Sequence, residues 1–217
     1  MAMATINQLF DNIHDLPQVP DVVSELISQM NNPKIDMGAM PKINGLDSAE
    51  FWEMTFNKAF FAKSIANELN LDSDIAFTAG LLSNIGTTLI FLGDPHAGLE
   101  VQQHVKASSK MRYDFEKSRL GFANADVAAE LSRRWKFPED LANAIGESAE
   151  SLAQTSCSDV ACAVHIAEYL SVNKEADDEA LMENFPSDVA DRIGFTAELL
   201  ADLVSSSSTS QLSGLAA

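Results

Sequence analysis

The stretch AGLLSNIGTT, Ala79 to Thr88, decides how this chain is read. Its apolar residues recur at helical spacing, with Ile75, Ala79, Leu82, Ile85 or Gly86, and Leu89 on one stripe. Yet Ser83 and Asn84 set a hydroxyl and an amide at the centre of that helix. Burying either group unpaired costs about 1–3 kcal/mol, so each needs a hydrogen-bond partner. The residues alone leave three readings open: a catalytic relic, a structural hydrogen-bonding device, or nothing in particular.

Working outward from this stretch, Asp72 or Ser73 is the expected N-cap of its helix. A strong helix precedes it from Ala49, capped by Asp47 or Ser48, with Glu50 in the first turn where an acid complements the helix dipole. Its apolar face is Phe51, Trp52, Thr55, Ala59, Ala62, Ala66 and Leu69. Before it, KIDMGAMPKINGLD, Lys34 to Asp47, has two Gly, a Pro and no sustained period, and is long for a loop in a compact domain. Nearer the start, Ile6 to Ile13 is a short amphipathic segment, Pro17 and Pro20 favour an extended connector, and Asp21 to Met30 has helical spacing.

On the C-terminal side, Leu99 to Ala107 is a helical stretch leading into MRYDFEKSRLGF. Ala125 to Trp135 is an amphipathic helix broken at Phe137 and Pro138, and Pro138 is read as the first residue of the next helix, Glu139 to Ser148. Ser158 caps an apolar helix to Ser171, NKEADDEA is a turn and helix start, and Pro186 to Ile193 and Thr196 to Val204 close the domain. The Ser-rich residues 205–217 read as a flexible tail. The expectation is an all-α fold, one helical domain over residues 1–204.

Charge narrows the partners. With 32 acidic against 14 basic residues the net charge is −18, which opposes a polyanion. No nucleic-acid partner is expected, although Arg133, Arg134 and Lys136 form a local basic patch. No apolar run is read as reaching the roughly 20 residues of a membrane helix, and the start lacks a signal-peptide pattern. The expectation is a cytoplasmic protein with no membrane partner. Cys157 and Cys162 lack CxxC spacing and read as reduced, helix-packed thiols.

Five stretches in order resemble one family: LPQVPDVVSELISQMNNP from Leu16, FWEMTFNKAFFAKSIANEL from Phe51, AFTAGLLSNIGTTLI from Ala76, EKSRLGFANADVAAELSRRWKFPEDLANAI from Glu116, and AVHIAEYLS from Ala163. Together they resemble HDOD domains, relatives of the HD metal-dependent phosphohydrolases. The resemblance implies a compact multi-helix HD/HDOD-like fold. It also implies more helices before the FW segment than Lys34 to Leu46 provides; natural shortening and omitted residues both fit that gap.

In HD hydrolases, His and Asp ligands hold divalent metal, which generates hydroxide and stabilises charge on phosphoryl oxygens. Matched to those motifs, this chain departs at nearly every ligand. Met54 stands at the first His position, Ser83 and Asn84 at the His–Asp pair, Asn124 at the later His, and Ser148 and Ala149 at the terminal His pair. Glu168 alone keeps an acid, in place of the usual Asp. A lone carboxylate among amides, hydroxyls and a thioether holds a hard cation poorly. The expectation is no metal, no cofactor and no catalytic residue, these seven positions lining a vestigial pocket.

His165 and Glu168 are i,i+3 neighbours, but two groups do not close a metal site. His14, His96 and His104 read as surface residues. The implied role is a bacterial signal-transduction domain that regulates by binding a protein partner. Two alternatives stay in view: a metal-dependent phosphohydrolase with an unorthodox site around Glu168 and His165, and a small-ligand sensor built on the pocket.

Overall fold

Short polar side chains set the helix starts. The structure, a computed structural model, describes residues 5–13, 47–104, 109–149, 157–174 and 176–214. The expected Pro17–Pro20 connector, the Asp21–Met30 helix and the Lys34–Leu46 segment lie outside the described residues, as do His14 and residues 105–107.

Thr5 closes a capping box on α1 (Ile6–Asp11). Asp47 caps α2 (Ser48–Glu68), accepting from the N–H groups of Ala49 and Glu50. Asp72 does the same for α3 (Ser73–Ser83). The chain continues through α4 (Ile85–Gly93), α5 (Pro95–His104), α6 (Ser109–Leu120), α7 (Asn124–Arg134) and α8 (Glu139–Ser148). Then come α9 (Asp159–Val172), capped by Ser158, α10 (Asp178–Glu183), capped by Asp177, α11 (Ser187–Ile193) and α12 (Ala197–Gly214). All regular structure among the described residues is α-helix, as expected.

Several boundaries differ from the sequence reading. The apolar stripe through Leu82 and Leu89 suggested one continuous helix, but the structure breaks it at Asn84, which closes α3 and opens α4. Periodicity cannot see such a break, because both halves keep their apolar residues in phase. MRYDFEKSRLGF lies largely within α6, whose polarity hid it. Pro138 is the N-cap of α8 with extended ψ 142°, one position before the expected N1. Finally, α12 runs past Val204 through the Ser-rich run to Gly214, a run free of proline.

The apolar stretch also proves longer than the sequence reading allowed. Ser73–Gly93, 21 residues, is long and apolar enough to cross a membrane by length and composition alone, because α3 and α4 follow each other directly. In the fold, 72% of its most apolar window is buried.

At the centre lies α9, with every residue from Ala161 to Ala167 buried. It packs on α2, α3, α8 and α11. Close approach of α2 and α3 follows from small side chains: Ala59, Ala62 and Ala66 on one, and Ala76, Ala79 and Gly80 on the other, are buried. A Cβ on Gly80 would stand 2.8 Å from the Ala59 Cα. Around the far side, α4 packs on α7 and α7 on α8. Cys157 and Cys162 are buried free thiols whose sulfurs lie 3.1 Å apart at the start of α9. Burial and the neighbouring Cys157 push the Cys162 thiol up to about 12.

Candidate functional site

The break at Asn84 turns its side chain toward α2. Asn84 Nδ2 donates to Thr55 Oγ1 at 3.0 Å, and that hydroxyl donates in turn to the Phe51 carbonyl at 2.8 Å. Ser83 is satisfied differently: its hydroxyl donates to the Gly80 carbonyl one turn back, at 3.0 Å. Both residues are buried and both are paired.

Glu168, on α9, faces a group that the family motifs did not single out. Lys58 Nζ lies 2.7 Å from Glu168 Oε2, and the Lys58 side chain is only 2% exposed. Burial alone would raise the Glu168 carboxyl, but the Lys58 ammonium, with His165 and Arg112 further off, holds it below the usual range. His165 is also buried; its Nδ1 lies 2.7 Å from the Ser148 carbonyl, and because a carbonyl only accepts, that nitrogen carries the hydrogen. Burial lowers the His165 pKa, against the opposing pull of the Ser148 carbonyl and Glu168.

A second, partly buried pair flanks this one. Arg112 Nε meets Glu116 Oε1 at 2.8 Å, while Glu116 Oε2 accepts the Asn124 backbone N–H at 2.6 Å. The Asn124 side-chain amide donates to Thr87 Oγ1 at 3.3 Å, and Arg112 reaches the same hydroxyl at 3.5 Å. Glu116 is fully buried: burial pushes its carboxyl up, and Arg112 and the Asn124 N–H oppose that rise.

The seven positions read from the sequence are thus only partly brought together. Asn84 and Glu168 reach the helices around them through Thr55 and Lys58, and Asn124 through Thr87. Ser83 and Ser148 turn their hydroxyls onto their own helices, Ser148 donating to the Ile145 carbonyl at 2.8 Å. Met54 is half-buried on α2, and Ala149 is the half-buried C-cap of α8. Ser83, Asn84, Asn124 and Glu168 make no direct hydrogen bond to one another. Sequence reading missed Lys58, Thr87, Arg112 and Glu116. Two signals were available: a lysine four residues after Met54 on an apolar helix, and an Arg–Glu pair at i,i+4.

The donor set does not fit the divalent metal that the HD relationship implies. Among the described residues, no three His, Cys, Asp or Glu side chains gather as a metal-holding group. The one retained acid, Glu168, is engaged by an ammonium. Elsewhere, the basic patch is largely paired: Arg133 with Glu139, and Arg134 with Glu130 while stacking 4.1 Å over the Phe10 ring. His96 and His104 are exposed, as read.

Buried His165 makes a pH prediction. Its folded pKa lies below the ordinary 6.5, so as pH falls the unfolded chain takes up this proton first. Stability from this group is present above about 6.5 and is lost below it, by at most about 1.4 kcal/mol per pH unit. Urea unfolding of wild type between pH 7.5 and 5.5 is expected to weaken more steeply than that of His165→Gln, which keeps a donor for Ser148. Equal slopes would exclude this role.

Comparison with known proteins places this geometry. The HDOD domain family matches residues 35–151, so its match takes in all of the Lys34–Asp47 segment but its first residue, and neither the stretch at Leu16 nor that at Ala163. No curated protein matches significantly. Among solved structures, a Shewanella amazonensis protein named as a candidate phosphohydrolase superposes with a TM-score of 0.66 at 23% identity, over 96% of this chain and 78% of its own. An HDOD domain protein from Geobacter sulfurreducens gives 0.60 at 18% identity, over 99% and 91%. The MmoQ response regulator from Methylococcus capsulatus gives 0.57 at 19%, over 92% and 82%. At these identities the likeness is one of fold. With more than half of its length matched and the all-helical architecture shared, the chain belongs to the HDOD domain family.

Proposed function

We propose that this chain is a non-catalytic regulatory domain of a bacterial cytoplasmic signalling system, acting by binding a protein partner. The observation that carries the reading is the Lys58–Glu168 pair: the one acid kept at a ligand position is bonded to an ammonium at 2.7 Å. The other positions hold a thioether, hydroxyls, amides and a methyl group, none of which generates hydroxide or steadies a phosphoryl oxygen in the way a bound dication does. Fold likeness to a response regulator fits a regulatory setting. The strongly acidic chain favours a partner surface that is not polyanionic.

The test is direct. Purified protein incubated with millimolar Mn²⁺ or Mg²⁺ and a phosphomonoester, a nucleotide or a cyclic dinucleotide is expected to show turnover at the level of the blank. Metal-dependent hydrolysis that disappears in Glu168→Gln would overturn the reading and establish the phosphohydrolase alternative. Co-purification of one protein from native cells, in constant ratio, is the expected positive result.

A further inference from the structure

Lysine is rarely buried completely unless its charge is matched. Lys58 is among the largest fully buried side chains of this protein. It lies one helical turn beyond Met54, so α2 offers it from the face that bears the first ligand position of the HD pattern. From there it spans to α9 and meets Glu168, 110 residues away in sequence. Thr55 and Asn84 join α2 to the α3–α4 break beside it. The charges of the site balance, Lys58 against Glu168 and Arg112 against Glu116, while burial keeps His165 toward its neutral form.

We propose that Lys58 is the resident cation of this site: its ammonium takes the electrostatic place of the divalent metal, neutralising Glu168 and tying α2 to α9. The inference rests on the non-catalytic reading and extends it, since the old metal site is re-neutralised rather than merely stripped of ligands. The chemistry favours the exchange. A hard dication needs several oxygen ligands, whereas an ammonium needs one carboxylate and a tether. A metal approaching Glu168 would have to displace a tethered charge of its own sign. Fold integrity becomes independent of metal supply.

Unfolding titrations on the full chain test the assignment. Lys58→Met keeps the stem and removes the charge, and Glu168→Gln removes the counter-charge. Each is expected to destabilise, and the double variant is expected to recover at least about tenfold in the unfolding constant relative to the sum of the two. Strict additivity overturns the proposal. Should Lys58→Met fail to fold, the double variant becomes the readout: recovered folding supports the pair, and continued failure refutes it. Wild-type melting is expected to be unmoved by EDTA or by millimolar Mn²⁺, because only a ligand of the native state raises it. A Mn²⁺-dependent rise would show metal displacing Lys58 and overturn the assignment. Turnover assays on the same samples separate the two readings: additivity without hydrolysis removes Lys58 alone, and metal-dependent hydrolysis by wild type removes the non-catalytic reading.

Discussion

Replacing Glu116 by alanine is expected to lower stability by about 3–5 kcal/mol, the range for breaking a buried ion pair from one side. Two losses coincide there. Arg112, with a side chain 12% exposed, is left without its carboxylate, and the Asn124 N–H at the start of α7 loses its acceptor. Glu116 sits between Tyr113 and Leu120 on the buried side of α6, so its loss leaves the uncompensated charge at the seam itself. At about 2–4 °C per kcal/mol for a chain of this size, a large drop in melting temperature follows. Glu116→Gln, which keeps the shape and one acceptor, is expected to fall between. Urea unfolding measures both, and a Glu116→Ala value within 1 kcal/mol of wild type would contradict the argument.

The second large effect comes from adding one carbon. A Cβ on Gly86 would lie 1.8 Å from the Asn124 carbonyl oxygen and 2.7 Å from its carbon. Backbone cannot rotate aside as a flexible side chain can, so α4 and α7 would have to separate. Gly86→Ala is expected to cost about 3 kcal/mol, the upper part of the range for overpacking. Gly146 on α8 is the internal control, since its added carbon would meet only the Ala129 Cβ at 3.4 Å. There alanine's better helix propensity, worth up to about 1 kcal/mol, is expected to leave stability level or raised. The same substitution in two helices thus has opposite outcomes, and comparable effects at both positions would defeat the close-approach argument.

Legibility in the sequence followed the kind of signal involved. Caps were readable because Asp47, Asp72 and Ser158 act on N–H groups two or three residues away, a strictly local relation. The loss of family ligands at Ser83, Asn84 and Asn124 was equally readable, since it concerns residue type at a motif position. What replaced them was not. Lys58 looks like a polar gap in an apolar helix until α9 brings Glu168 to it across 110 residues. Helix α6 hides in the same way: its buried side is Tyr113, Glu116 and Leu120, and a charge in the middle of that stripe dilutes the pattern. Of the seven positions assigned to the vestigial pocket, Ser83, Asn84, Asn124 and Glu168 bond separately to Gly80, Thr55, Thr87 and Lys58, partners that no local pattern announces.

The direct succession of α3 and α4, joined only through Asn84, carries a consequence for biosynthesis. While the ribosome is still making the chain, Ser73–Gly93 leaves the exit tunnel before α7, α8 and α9 have emerged to cover it. During that interval the nascent chain displays 21 residues that meet the length and composition of a membrane span. Fragments ending near Leu120 would keep that display permanently. They are the truncations expected to recruit chaperones, pellet with lipid or aggregate, whereas a chain extended through α9 escapes that fate.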